Sequence, residues 1–373
     1  MQTNRLNSES KYNSKRVKMR IRALTLMVDA KFIKEFTENP HILEKAFKSC
    51  QNEMNIPIWS KRLAVNPVET SKLEQIAENF TDLGDVIDFY AVPLKLKSES
   101  EIGEVANILY RYNKLFVSIY GGLRELKLYK KLLEEIKSKF PYEIFIKVSF
   151  SIGRPIFTPY FPSAAAISGR KDLAAALLYV NDIIESLKNS KSLMETIKNC
   201  TLRAIELLKY LCKLLGFNGF GIDISISPWM NESVAKLIEL YGNLKFNDPG
   251  THYTILKLNE LLKNVWGEVA SCVGFNEIML PYAEDKLLMN YGMAGSITAY
   301  DLLSLASVCV AGFDMIPLPK MSNTDLNNLL VDIYSILKMK AKCSGVRIIP
   351  TEAKPGETVN LGFIGDVPVL KLK

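Results

Sequence analysis

Four carboxylates sit in or beside short apolar runs, where an unpaired charge is strongly destabilising. Asp223 lies in Gly221-Ile-Asp-Ile-Ser-Ile-Ser-Pro228, and Asp314 in Cys309-Val-Ala-Gly-Phe-Asp-Met-Ile-Pro-Leu-Pro319. Glu284 and Asp285 close Ile278-Met-Leu-Pro-Tyr-Ala-Glu-Asp285. Each run is strand-like by its apolar content. Such acids must be neutralised, ion-paired or bound to a cation. If they converge, Asp223, Asp314 and Glu284 are candidate catalytic acids or bases. Asp223, Asp314 and Asp285 would then be oxygen-only ligands, suited to Mg²⁺, Mn²⁺ or Ca²⁺ rather than zinc. The alternative is structural: an ion pair of Asp314 with a residue such as Arg347, and helix-terminus roles for Glu284 and Asp285.

Residues able to hold a substrate are fewer. Arg347, within Val346-Arg-Ile-Ile, carries a planar fork that suits a carboxylate or phosphate. Ser225 alternates with Ile224 and shares a face with Asp223 and Ser227. Phe161 and Ser163, with Tyr160, belong to the Pro- and aromatic-rich stretch Ser151-Ile-Gly-Arg-Pro-Ile-Phe-Thr-Pro-Tyr-Phe-Pro162, a composition suited to packing against a core. Gly250-Thr-His252 reads as a turn and cap before a helix. Cys309 reads as a packed thiol, having no assignable base. With only two histidines, His41 and His252, a His-rich metal site cannot be built.

The elements positioning these residues alternate between strand and helix. Strands are expected near 17–28, 56–66, 86–92, 115–120 and 143–150, then 220–226, 277–281, 312–318, 346–350 and 367–372. Amphipathic helical patterns fall between them, with Ser296 and Asn323 as candidate caps. The middle stretch holds two more helical patterns, 173–187 and 193–215. This order argues for a largely parallel α/β sheet covered by helices. Ten strands are many for an open twisted sheet, so curling into a barrel is expected. No Pro/Gly/Ser linker interrupts the pattern, which points to one domain over 17–373 after a polar, disordered tail over 1–16.

The 373 residues are 48% hydrophobic and carry a net charge of +7, spread without a basic stripe, so nucleic-acid binding is not expected. No apolar run is long enough to span a bilayer, no secretory signal is evident, and the six scattered cysteines form no Cys-x-x-Cys pair. A cytoplasmic protein with reduced thiols is the expectation, and no nucleotide-cofactor motif occurs.

The ordered runs Gly221–Pro228, Met279–Asp285, Cys309–Pro319 and Arg347–Pro350, with Phe161-Pro-Ser-Ala-Ala165 and Arg20-Ile-Arg-Ala-Leu-Thr-Leu26, resemble the domain-of-unknown-function 711 family, also called uncharacterised protein family 0210. The likeness covers about 17–373. It implies a ten-stranded α/β barrel like those of pyruvate formate-lyase and ribonucleotide reductase, with antiparallel five-stranded halves, helices outside and a loop inside. The halves would be about 17–150 and 219–373, with a helical connector over 151–218 carrying the inner loop. Glycyl-radical chemistry does not transfer. The C-terminal glycines lack the radical-loop neighbours, and 151–169 contains no cysteine. Val310 and Lys320 stand where the family commonly has glycine.

Two functions remain open at this level. One is a small-molecule enzyme with an acidic, metal-assisted site inside the barrel, acting on an anionic substrate. The other is a non-catalytic small-molecule-binding or assembly protein whose acids form internal ion pairs. A homodimer is expected from the habits of the fold.

Overall fold

The computed structural model describes residues 19–269, 271–311, 313–340 and 345–373. Its strands are β1 Arg20–Val28, β2 Lys61–Val65, β3 Val68–Glu69, β4 Phe89–Lys95, β5 Leu115–Gly121, β6 Val148–Ile152, β7 Lys171–Leu178, β8 Gly219–Asp223, β9 Ile316–Leu318, β10 Gly345–Val346 and β11 Ile348–Pro350. A separate hairpin, β12 Thr358–Asn360 with β13 Asp366–Pro368, follows. The main sheet is a curled half-barrel with eight strands in the order β10-β6-β5-β4-β2-β1-β7-β8, and β3 attached to β4. Strands β1, β2, β4, β5 and β6 run parallel, while β7 is antiparallel to β1 and parallel to β8. Beyond β8, single bridges join Ile222 to Cys272, Ile226 to Ile278 and Met279 to Val310, and β9 pairs with β11.

The two faces of the sheet differ in side-chain size for a physical reason. On β1, Leu24, Leu26 and Val28 join the large core beneath the outer helices. The alternate residues Ala23 and Met27 join Ala64 of β2, Ala91 of β4, and Ala174 and Ala176 of β7 in two smaller clusters on the other face. Phe157, Tyr160, Phe161, Ala164 and Ala166, from the segment between β6 and β7, pack in those clusters. An inner wall of small residues leaves room for a backbone segment; larger ones would fill it. Thr25 Oγ1 donates to Pro159 O at 3.4 Å, and Ala166 N donates to Val65 O at 3.0 Å, tying the segment to the wall.

The same constraint explains the main misreading. Residues 173–187, expected to be helical, begin as β7, and the helix starts only at Val180–Lys188. The run Leu173-Ala-Ala-Ala-Leu-Leu178 has helix-forming composition, but Ala174 and Ala176 line the inner wall, which must be thin, while Ala175 faces the outer core; tertiary context overrides propensity. The expected strand over 143–150 opens as a 3₁₀ turn, Tyr142–Lys147, before β6. The expected last strand over 367–372 contributes only to the β12–β13 hairpin. Helix Leu193–Leu215 forms where periodicity placed it, and helices Thr251–Glu268 and Asn323–Met339 overlap the amphipathic patterns over 255–269 and 325–340. Thr298 and Ser322, not Ser296 and Asn323, cap the two later helices, accepting from Asp301 N and Asp325 N. Among the described residues no helix is long and apolar enough to cross a membrane.

Candidate functional site

Asp223 ends β8 facing the inner segment and is fully buried. Its Oδ1 accepts from Ser225 Oγ at 2.6 Å, Ser225 N at 3.0 Å and Asn276 N at 3.1 Å. Its Oδ2 accepts from Phe275 N at 2.7 Å and Thr158 Oγ1 at 3.1 Å. Burial pushes this carboxyl above its ordinary range, and the hydroxyl and amide donors hold it back. Gly274 (φ +81°) passes so close that a Cβ there would run into the Asp223 carboxylate. Ser225 Oγ also accepts from Glu277 N at 3.1 Å. Asp223 and Ser225 therefore organise one turn, and Asp223 has no free lone pair aimed at a ligand. Asp285 is likewise occupied, accepting from Leu287 N at 3.0 Å and Ala235 N at 3.1 Å as a helix cap.

The charged cluster lies elsewhere, at the N-terminal ends of β1 and β2. Arg347 grips Asp314 with both arms at 2.6 Å and reaches Glu284 Oε1 at 3.2 Å. Arg22 pairs with Glu284 Oε2 and donates to Pro228 O. Arg20 meets Glu232 at 2.5 Å. Burial alone would raise Glu284, but Arg22 and Arg347 overcome it and hold this carboxyl below the ordinary range. Burial raises Asp314 against the pull of Arg347. Arg22 turns toward this cluster where the pairing of β1 with β7 slips between Ile21 and Ala23. Trp59 and Trp229, 4.6 Å apart edge to face, lie beside Arg22.

Arg62 stands apart. Its Nε donates to Ser60 Oγ at 2.9 Å, and its guanidinium lies 5.1 Å from the Phe161 ring and 5.8 Å from Phe89. Among the described residues no carboxylate forms an ion pair with it: Glu284, and then Asp88, are near enough to be felt, but Glu284 is held by Arg22 and Arg347, and Asp88 accepts from Lys61 N. Burial first, and Arg22 next, bring Arg62 down to about 10.

Of the expected residues, Asp314, Glu284 and Arg347 thus come together, and Phe161 joins them through Arg62. Asp223, Ser225 and Asp285 serve other turns, and Ser163 bonds to Ser151 at 3.1 Å and to Ser149 at 3.4 Å. Tyr160 donates to Ser227 at 3.1 Å. Sequence reasoning missed Arg20, Arg22, Arg62 and Glu232; the signal was a charge within apolar β1 and at the start of β2. The proposed donors do not fit a divalent ion, because fixed amides, hydroxyls and guanidiniums take up their oxygens. Among the described residues no three His, Cys, Asp or Glu side chains gather as metal ligands. Cys309 is buried and its thiol is pushed up to about 12, which leaves it inert as a nucleophile. His252 meets Ser304 on the surface.

Residues 146–362 match the family model described as Uncharacterised ACR (DUF711). The chain belongs to the DUF711 family. It is 32% identical over 164 residues to a UPF0210 protein from Sulfurisphaera tokodaii, covering 43% of this chain and 37% of that one. A UPF0210 protein from Thermoanaerobacter sp. (strain X514) is 25% identical over 92% of this chain and 85% of its own. For a third, from Bifidobacterium longum subsp. infantis, the values are 29%, 49% and 42%. Two of these alignments thus span less than half of the relative. The DUF711 match contains Glu284, Asp314 and Arg347, whereas Arg20, Arg22 and Arg62 precede it.

Proposed function

We propose that this DUF711 protein binds a small organic anion at the arginine-rich end of a closed ten-stranded barrel. Closure is supported by the bridges leading from β8 through 272–279 to Val310, by the β9–β11 pair, and by β10, which returns antiparallel onto β6. Read as continuous strands, these give two antiparallel halves of the glycyl-radical-enzyme type, with 153–170 between them. The observation that carries the anion site is a charge mismatch. Arg20, Arg22, Arg62 and Arg347 stand against Glu232, Glu284 and Asp314, and among the described residues Arg62 is the guanidinium left without an ion pair. A half-buried guanidinium of this kind is an anion receptor held in place by its neighbours.

Of the two functions left open by the sequence, the arrangement favours small-molecule binding, since each expected acid already has its partners. Glu284 and Asp314 act as counter-charges that fix Arg22 and Arg347. Titration calorimetry with acetate and inorganic phosphate at constant ionic strength tests the reading. Binding is expected in the wild type and a loss of about tenfold or more in Arg62→Met. Equal heats in both proteins would exclude this site.

A further inference from the structure

Arg62 closes a circuit of ring contacts. From the guanidinium the path runs 5.1 Å to Phe161, 5.9 Å on to Phe116, 5.4 Å to Phe89 and 5.8 Å back. Phe363 stacks on Phe89 at 5.9 Å and is 45% exposed, so an apolar surface leads from solvent to the circuit. Within it the guanidinium is rigid, because Ser60 Oγ, which itself donates to Arg22 O at 2.7 Å, holds its Nε. Arginine has five N–H donors. One is used by Ser60, and among the described residues neither terminal nitrogen is a sealed, unpartnered atom, so the fork of this half-buried side chain is not closed off.

We propose that the ligand is a monocarboxylate on a flat apolar or aromatic body, its carboxylate on the Arg62 fork and its body against Phe161, Phe89 and Phe363. This rests on the anion-binding reading above and narrows it. Three features of the site select that class. The planar fork matches a carboxylate edge with two parallel hydrogen bonds. Among the described residues Arg62 is the guanidinium of the cluster without an ion pair, so one added negative charge is better balanced there than the two of a phosphate dianion. Phenyl walls reward apolar area by roughly 25 cal/mol per Å² and penalise a body that needs its own hydration.

The test uses the full chain with benzoate, cyclohexanecarboxylate, acetate and inorganic phosphate at constant ionic strength, by calorimetry. Variants are Arg62→Met, Arg62→Lys and Phe363→Ala; the last alters an exposed ring and leaves the fold intact even if the others do not. Benzoate and cyclohexanecarboxylate are expected to bind about tenfold or more tighter than acetate and phosphate. Arg62→Met abolishes this binding, Arg62→Lys keeps the charge but loses most of the preference, and Phe363→Ala weakens benzoate about threefold while sparing acetate. Phosphate binding as tightly as benzoate, with both lost in Arg62→Met, overturns the carboxylate class and leaves the anion site standing. Anion binding unchanged in Arg62→Met and Phe363→Ala, or undetectable in the wild type, overturns both.

Discussion

Arg347 carries both oxygens of Asp314 and one of Glu284, whereas Arg62 meets a serine hydroxyl and two rings. Removing the first leaves buried carboxylates unpaired, so Arg347→Met is expected to cost about 3–5 kcal/mol in urea denaturation. Arg62→Met removes a cation that no carboxylate balances, and its stability should stay within about 1 kcal/mol of wild type or rise. Glu284 adds a pH dependence of defined sign. Its folded pKa lies below the ordinary 4.5, so on acidification the unfolded chain takes up the proton first. Its contribution is complete above about pH 5 and lost as pH falls through the folded value. The urea-midpoint gap between wild type and Glu284→Gln should therefore be widest near neutrality and narrow as pH falls below the ordinary carboxylate range.

At the scale of elements, the turn after Ser271 depends on a glycine that cannot be replaced. Gly274 has φ +81° and lies against Asp223, so Gly274→Ala should lose about 2 kcal/mol or more, while Gly267→Ala, in the helix Thr251–Glu268 with open space around it, should gain about 0.5 kcal/mol. Thermal melts of the two variants check the contrast. This turn also shows how far the sequence could be read. The alternation of Asp223, Ser225 and Ser227 gave the polar row, and the apolar surroundings said that Asp223 needs partners. The partners themselves, the amides of Phe275 and Asn276, are set by a chain approach about fifty residues downstream that no local pattern encodes. Asp314 with Arg347 was legible as a pair because both sit in neighbouring apolar runs. Arg22 was not, since its role depends on a register slip in β1, and β7 was hidden by alanines chosen for thinness rather than for helix formation.

For the molecule as a whole, the segment between β6 and β7 is a loop by hydrogen bonding but an interior element by position. Loop amides ordinarily exchange fast because water reaches them. Here Ala165 N and Ala166 N donate to Ile156 O and Val65 O beneath the wall, both at 3.0 Å. Hydrogen-exchange mass spectrometry should find 158–166 protected to within about tenfold of β1, whereas free exchange would mean that the segment leaves the wall without global unfolding. The order of the chain then bears on biosynthesis. Residues 153–170 leave the ribosome after β1 to β6 and before β8, so they can settle on an uncovered wall before the remaining strands arrive over them. A circular permutant beginning near Gly219 would synthesise those later strands first and have to fit the segment into a space already bounded on both sides. Vectorial translation is thus a natural assembly order for this architecture, and the permutant is the version that would lean on chaperones.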